Sequence, residues 1–433
     1  MSDTTLSRPV LAAVSQPGPA ALPATHPSAP LPSVAAPPAP TAVPPAPVAI
    51  PPLRETAVEL LPWARAQLRH HVEHASPNGD AAGLDAFGEA LLAGYDETGA
   101  ETMSLAGPHG DHLLACWPGA SPDRPPALLL GHHDTGVLAG PVTCDDDGTT
   151  LRGPGALDGK SGLVVAEMAI RILNLVGLAP AQPVRLLVSA DTLMGSATAR
   201  PYLVAETARA GAVFGLAAPR PDGVLTTGRA GSARILLRVA SEAAAEDAAP
   251  ASAIDELLDQ LTALRAAAAH VGAGLNAGRV GGGTEAYDVA EIAGAELGAR
   301  FSDPGVERAF LDTLAALAPR RPGLAVHAEA LSVVPAWAPP ARNPLLEWVG
   351  AVSERHGMAV VGAAGALPGA VDGVERAGDT NHAGALGAPT LDGFGGVGRR
   401  FRGDELVRID SLMPRAALLA ALLAQPLPPR PTT

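Results

Sequence analysis

Residues 125–162 decide the fold, and they read PPALLLGHHDTGVLAGPVTCDDDGTTLRGPGALDGKSG. The apolar run 127–130 ends at Gly131 and is followed by the segment 132–134, His-His-Asp. Asp158 comes later, in a glycine-rich turn ahead of the helix-like run 163–175. A buried strand of an α/β protein presents ligands at its carboxyl end, and His and Asp are common zinc ligands. The stretch therefore predicts metal ligands at the carboxyl edge of a sheet.

Composition excludes two classes of partner. The 30 basic and 44 acidic residues give a net charge of −14, which argues against nucleic acid or an anionic membrane. The two cysteines, Cys116 and Cys144, cannot build a disulfide framework and favour a reducing compartment. No membrane-length apolar run and no secretory signal pattern is recognisable, so the sequence predicts a cytoplasmic location.

Three kinds of segment follow one another along the 433 residues. Residues 1–52 are rich in Ala and Pro, which predicts a disordered tail. In 53–227 and 336–427 strands alternate with helices, which predicts a doubly wound, mostly parallel α/β sheet. Between them, 228–335 reads strand, helix, strand, strand, helix, strand. This segment is predicted to form an inserted α+β sandwich.

Further motifs extend the pattern of the opening stretch. They are LLLGHHDTG at 128–136, GPGALDGKSG at 153–162, SADTLMGS at 189–196, GDTNHAGALGAPTLDGFGGVG at 378–398 and GDELVRIDSL at 403–412. In this order the motifs resemble those of the zinc-dependent exopeptidases and amidohydrolases, which include glutamate carboxypeptidase, aminoacylase and succinyl-diaminopimelate desuccinylase. The resemblance implies two zinc ions in a catalytic α/β domain and an inserted lid domain that usually dimerises. It also implies a Glu that takes a proton from a bridging water as the water attacks an amide carbonyl.

Three site residues of that family have counterparts here. By resemblance, His132 is the first metal ligand and Asp158 is the carboxylate that bridges the two ions. Asp134 corresponds to the carboxylate that orients the ligand histidine. Two of the five expected protein ligands are thus retained.

The remaining positions are replaced. Thr192 stands at the position of the general base, where it is not expected to act, and Leu193 stands at that of a ligand glutamate. The next carboxylate ligand falls on Ala218. The final histidine falls on Phe401 or one of its neighbours, Arg400 and Arg402.

The resemblance also suggests two substrate-binding residues. Arg300 matches an arginine that closes a lid strand, although an ordinary surface arginine is an equal alternative. Asn381 lies in the loop that matches the family's Ser-Asp-x-Asn pattern.

The sequence therefore favours a catalytically impaired protein, a pseudoenzyme, that binds a peptide or an N-acyl amino acid. A catalytic zinc site takes at least three protein ligands, so zinc is expected to be absent or limited to one weakly bound ion. A homodimer or pairing with an active homologue is the further expectation for partners.

Two active alternatives stay open. In the first, a non-standard single-metal site hydrolyses a peptide or amide bond; His382 is its most specific candidate, and His133, Asp191 and Asp379 are expected at the same sheet edge. The second, less favoured, is metal-free acyl transfer by Thr192 or Ser196.

Overall fold

The structure is a computed structural model that describes residues 52–136, 142–220, 223–242, 251–358, 363–364, 377–401 and 404–430. The predicted disordered tail lies outside the described residues except for Pro52. Among the described residues, no helix is both long and apolar enough to cross a bilayer.

The helices of the described residues are α1 (Leu53–Glu59), α2 (Leu61–Glu73), α3 (Ala81–Asp96), α4 (Lys160–Leu175), α5 (Arg200–Arg209), α6 (Ala253–Val271), α7 (Pro304–Ala315), α8 (Pro344–Arg355), α9 (Asp379–Ala385) and α10 (Leu412–Leu423). The strands are β1 (Glu101–Leu105), β2 (His112–Trp117), β3 (Ala127–His132), β4 (Asp145–Asp146), β5 (Thr150–Arg152), β6 (Val184–Ser189), β7 (Ala212–Gly215), β8 (Leu225–Thr226), β9 (Gly231–Ser241), β10 (Gly274–Gly282), β11 (Ile292–Phe301), β12 (Leu324–Val334), β13 (Ala363–Ala364), β14 (Thr390–Asp392), β15 (Gly398–Phe401) and β16 (Asp404–Arg408).

A mixed sheet with a parallel centre carries the predicted motifs. Its strand order is β1-β2-β6-β3-β7-β14-β8-β13, and the four central strands β6, β3, β7 and β14 run parallel. All six residues of β3 are buried, as expected for a central parallel strand covered on both faces. This confirms the α/β class with a mostly parallel sheet.

The main hydrophobic core lies between this sheet and the helices α4 and α10. Thirteen residues of α4 are buried, and α4 approaches β7 closely at its first turn. A Cβ on Gly162 would come within 2.0 Å of the Leu216 carbonyl oxygen, so glycine is what permits this approach. The close packing places the turn before α4 beside the carboxyl end of β3.

A second sheet with its own core is formed by the predicted insertion. Its order is β10-β11-β9-β12, with every neighbouring pair antiparallel. The burial of β9 alternates along the strand, and its inward face packs with α6 and α7. Ser252 caps α6 by accepting a bond from the Asp255 N–H, and the helix ends at Gly272 with φ of 82°. We call this sheet with α6 and α7 the lid.

A small third sheet, β15-β16-β5-β4, was not foreseen as a unit. The acidic turn 145–148 of the opening stretch is typical of a hairpin, and it joins β4 to β5. The Asp147 N–H is bonded to the Thr150 carbonyl oxygen at 3.2 Å. Strand β16 then pairs with β5 across more than 250 residues of sequence. The sheet thereby brings 398–408 beside the turn that holds Asp158.

Residues 54–74 have apolar residues at helical spacing throughout, which predicts one helix, but they form two. Helix α1 ends at Glu59 and α2 begins at Leu61, with Leu60 between them. Pro62 lies in the first turn of α2, where its missing N–H costs no helical hydrogen bond. Apolar residues recur at helical spacing on both sides of Leu60, so the sequence pattern gave no sign of the break.

Candidate functional site

The predicted site lies at the carboxyl end of β3. His132 is the last residue of β3, and the Gly-rich turn places Asp158 against it. Gly159 has a φ of 96°, and a Cβ there would lie 2.8 Å from the His132 carbonyl oxygen. The glycine therefore allows the turn to close on the strand end.

His132 is held between two carboxylates. Its Nδ1 lies 2.9 Å from Asp134 Oδ1, and its Nε2 lies 3.4 Å from Asp158 Oδ1. The other oxygen of Asp134 accepts the Leu193 N–H at 2.8 Å. Asp134 thus contacts both the ring of His132 and the backbone of Leu193. Leu193 contributes only its backbone to this arrangement.

Asp158 is neutralised by an arginine. Arg400 Nη2 lies 2.5 Å from Asp158 Oδ2 and 2.7 Å from Glu405 Oε1. The second oxygen of Glu405 accepts the N–H groups of Leu157 and Asp158 at 3.2 and 3.0 Å. The structure therefore places Arg400 against the predicted bridging carboxylate. We call His132, Asp134, Asp158, Arg400 and Glu405 the carboxylate network.

The charges of this network shift one another. Burial would lower the pKa of His132, but its bonds to Asp134 and Asp158 raise that pKa well above its ordinary value. Burial would raise the pKa of Asp158, yet His132 and Arg400 lower it. Burial and the neighbouring Asp158 raise the pKa of Glu405. The carboxylates of Asp158 and Glu405 can lie close together because the guanidinium group of Arg400 bonds both of them.

Thr192, at the predicted general-base position, forms a second polar group with Ser196 and Asp379. Thr192 Oγ1 donates to Asp379 Oδ2 at 2.9 Å, and Ser196 Oγ donates to Asp379 Oδ1 at 2.5 Å. Burial raises the pKa of Asp379 despite these bonds. Ser196 also has a φ of 55°, an unusual backbone conformation for a residue with a Cβ. Both hydroxyls that could serve as nucleophiles thus donate to one buried carboxyl group, and neither is paired with a histidine.

The residues present do not fit a dinuclear zinc centre. Of the predicted ligand positions, only those of His132 and Asp158 carry donor atoms suited to zinc, and a catalytic zinc site takes at least three protein ligands. One oxygen of Asp158 is bonded to Arg400. Ala218, at another predicted ligand position, packs against the main core and has no donor atom. In the described part of the chain, no three His, Cys, Asp or Glu side chains form a group that could hold a metal ion.

Several buried side chains near the same edge have polar atoms without a hydrogen-bond partner among the described residues. They include both ring nitrogens of His133, Asp191 Oδ1 and His382 Nε2. Burial lowers the pKa of His133 to about 3 and that of His382 to about 4, so both rings are neutral at pH 7. Neutral imidazoles and a carboxylate oxygen are suited to bind a polar ligand or ordered water.

The two predicted substrate-binding residues lie apart from the carboxylate network. The amide nitrogen of Asn381 lies 2.9 Å from the Pro335 carbonyl oxygen, 3.1 Å from that of Ala230 and 3.3 Å from that of Arg229. Asn381 is fully buried and connects the strands that lead into and out of the lid. Arg300 lies in β11, opposite Gly274 and Ser232. The side chain of Phe401 is outside the described set.

Solved structures share this architecture. A metallo-carboxypeptidase of the M20 family from Sulfolobus solfataricus matches with a TM-score of 0.62 at 14% identity, over 83% of this chain and 98% of that one. Human carnosine dipeptidase 1 also has a TM-score of 0.62, at 11% identity, over 86% and 98%. A dinuclear-metal-binding M20 peptidase from Bacillus subtilis matches at 0.57 and 14% identity, over 85% and 98%.

The chain has the M20 peptidase fold. The predicted resemblance is confirmed at the level of the fold, including the inserted lid. No protein-family model and no curated protein sequence matches the chain. The M20 fold therefore rests here on three-dimensional likeness, at sequence identities of 11–17%.

Sequence reasoning missed the partners that complete the site. Arg400 was considered only as a neighbour of a lost histidine, and Glu405 only as part of a motif. The pairing of Arg400 with Glu405 across β15 and β16 is a hairpin feature that local sequence could have suggested. Their contact with Asp158 could not be found that way, because it depends on the pairing of β16 with β5.

Proposed function

We propose that this protein uses the M20 fold to bind a peptide or an N-acyl amino acid without hydrolysing it. The observation that carries the proposal is the ion pair between Arg400 and Asp158, at 2.5 Å. It gives the predicted bridging carboxylate a permanent cation from within the chain. A zinc ion would have to displace that guanidinium, which also bonds Glu405.

The missing general base supports the same proposal. Amide hydrolysis needs a group that takes a proton from water as it attacks. Thr192 stands at that position and its hydroxyl already donates to Asp379. A threonine hydroxyl does not ionise near neutral pH, so it cannot replace a glutamate base.

Ligand binding is supported by the unpaired atoms of His133, Asp191 and His382. Buried polar groups are nearly always hydrogen-bonded, so such atoms favour a bound polar molecule. A peptide or an N-acyl amino acid offers amide N–H and carbonyl groups that complement them. Among the solved structures that share the fold, human carnosine dipeptidase 1 acts on a dipeptide, which favours a small peptide as the ligand.

Two measurements on the purified full chain test this proposal. Elemental analysis after gel filtration should find much less than one zinc per chain. A panel of dipeptides and N-acetyl amino acids, incubated with added zinc, should show no turnover, while calorimetry should detect binding of at least one of them.

Controls separate the outcomes. Two zinc equivalents with hydrolysis that His132→Ala abolishes, and that His327→Ala on an exposed lid strand leaves intact, would refute the proposal. One equivalent that is lost in His382→Ala would instead support the single-metal hydrolase. The absence of both turnover and binding would contradict the ligand class.

A further inference from the structure

A deep groove lies on the opposite side of the small sheet from the carboxylate network. Its volume is about 1170 Å³, slightly above the range of about 300–1,000 Å³ typical of small-molecule sites. Helices α1 and α10 and strands β5, β15 and β16 contribute to its walls. None of the five residues of the carboxylate network lines it. We call it the arginine groove, because five arginines line it: Arg54, Arg152, Arg399, Arg408 and Arg415.

The alternation of β-strand side chains separates the groove from the site. Arg400 and Glu405 are cross-strand partners whose side chains reach Asp158. Their neighbours Arg399 and Leu406 are also cross-strand partners, and both line the groove. Successive side chains point to opposite faces of a strand, so one hairpin supplies both surfaces.

Two of the five arginines are neutralised by carboxylates. Arg152 pairs with Asp404 at 2.9 Å, and Arg408 pairs with Asp410 at 3.0 Å. Asp147, the other acidic residue of the groove wall, accepts N–H bonds from Thr149 and Thr150. Asp404 and Asp410 are thus each paired with an arginine, while Asp147 is bonded to backbone N–H groups.

The other three arginines, Arg54, Arg399 and Arg415, have no carboxylate partner among the described residues. Arg54 donates to the Gly357 carbonyl oxygen at 3.0 Å, and Arg415 donates to that of Gly223 at 2.5 Å. Among the described residues, no carboxylate forms an ion pair with Arg54, Arg399 or Arg415. The groove thus has three such arginines, from α1, β15 and α10, in a chain whose net charge is −14.

Arg415 is the most informative of the three. It is only 9% exposed, and a single carbonyl oxygen is its partner in the described structure. Burial lowers the pKa of Arg415 to about 10. A buried guanidinium is costly unless an anion pairs with it. Since Arg415 lines the groove, an anion bound there would remove that cost.

The rest of the wall indicates the body of the ligand. Its apolar side chains are aliphatic or thioether groups: Ala57, Val58, Val397, Leu406, Met413 and Leu418. No aromatic side chain is present among the described residues that line it. Nucleobases are usually held by stacking on aromatic rings, so the wall suits an alkyl chain better than a base.

We infer that the arginine groove binds an aliphatic molecule with an anionic head, a phosphate or a carboxylate. The guanidinium groups of Arg399, Arg415 and Arg54 receive the head, and the aliphatic wall receives the chain. Guanidinium groups bond phosphate and carboxylate oxygens in a matching planar geometry. This site is independent of peptide binding at the sheet edge.

Calorimetric titration of the full chain with octyl phosphate and with octanoate tests the inference. At least one should bind saturably with one site per chain, and the better of the two identifies the head group. Octanol and inorganic phosphate should each bind about tenfold more weakly or not at all, because each lacks half of the recognised chemistry. Adenosine monophosphate serves as the aromatic competitor.

Charge-removing variants provide the second arm. Arg399→Ala should weaken binding of the better probe by about tenfold, since one charge-assisted contact is lost. Arg399 is exposed, so this variant should fold normally. Arg415→Gln, which keeps a donor for Gly223, should weaken binding further. Arg265→Ala, which removes an exposed arginine on lid helix α6, is the matched control and should change nothing.

Several results would overturn the inference. They are no saturable binding of either probe, equal binding of octanol, tighter binding of adenosine monophosphate, and unchanged affinity in Arg399→Ala. Equal affinity for inorganic phosphate would reduce the groove to a site for an adventitious ion only. Loss of zinc binding or of peptide binding would not bear on it, because those measurements concern the other face.

Discussion

Removal of the Arg400 side chain charge is the sharpest test of how the site is built. In Arg400→Met, Asp158 and Glu405 face each other without the cation that separates them. Arg400 makes one bond to Asp158 at 2.5 Å and two to Glu405, at 3.1 and 2.7 Å. The three side chains are only 25%, 18% and 12% exposed, so solvent screens the remaining charges poorly.

The expected loss follows from those contacts. Removing one partner of a buried ion pair costs about 3–5 kcal/mol, and the partial exposure here favours the lower end. We therefore expect the free energy of unfolding to fall by about 3 kcal/mol at pH 7. Adding Asp158→Asn and Glu405→Gln removes the stranded charges and should restore about 2 kcal/mol of that loss.

Urea denaturation followed by circular dichroism measures these differences, provided the slopes of the transitions agree. Arg279→Met is the matched control, because Arg279 and Glu296 form an exposed pair, with 80% and 43% of their side chains accessible. Its loss should stay below about 1 kcal/mol. A loss in Arg400→Met no greater than that of the control, or no recovery in the triple variant, would refute the description of the carboxylate network.

Three other outcomes are expected. Burial lowers the pKa of Lys160 to about 7, so the single ¹³Cε signal of this only lysine should titrate near there in the folded protein and near the ordinary value in urea. Because the unfolded state then binds more protons between these two pKa values, stability should rise with pH across that window; a folded-state midpoint near 10 would contradict this. Gly162→Ala should destabilise the protein by about 3 kcal/mol or more, because its Cβ meets the Leu216 backbone. Gly350→Ala, with open space around it in α8, should stabilise the protein by about 0.5 kcal/mol, and equal melting temperatures of the two variants would refute the close packing. Both Ser196→Gly and Ser196→Ala lose the hydroxyl bond, but only glycine relieves the positive φ. The free energy of unfolding from urea denaturation should therefore be about 1 kcal/mol higher for Ser196→Gly than for Ser196→Ala.

The sequence predicted the parts of the site that lie close together along the chain. His132, Asp134 and Asp158 belong to one strand end and one turn, and their arrangement follows from local rules about strands and glycine turns. The order of elements in the lid was predictable for the same reason, since each helix and strand has its own periodicity.

Contacts between distant segments were not predictable. Arg400 meets Asp158 across 242 residues, and Thr192 meets Asp379 across 187. A single sequence contains no signal for which arginine in 400–402 turns inward, because the outcome depends on the register of β15 against β16. The sequence indicated that Thr192 cannot act as a general base, but it could not indicate that the Thr192 hydroxyl bonds a buried carboxyl group.

The environment of Asn381 has a mechanical consequence. The chain enters the lid after Arg229 and Ala230 and leaves it at Pro335, and carbonyl oxygens of all three surround one amide nitrogen. Any swing of the lid against the central sheet must turn about this point or break these bonds. Asn381 therefore ties the chain's entry into the lid and its exit from the lid to one side chain of the central domain, so the two connections cannot move apart without loss of these bonds.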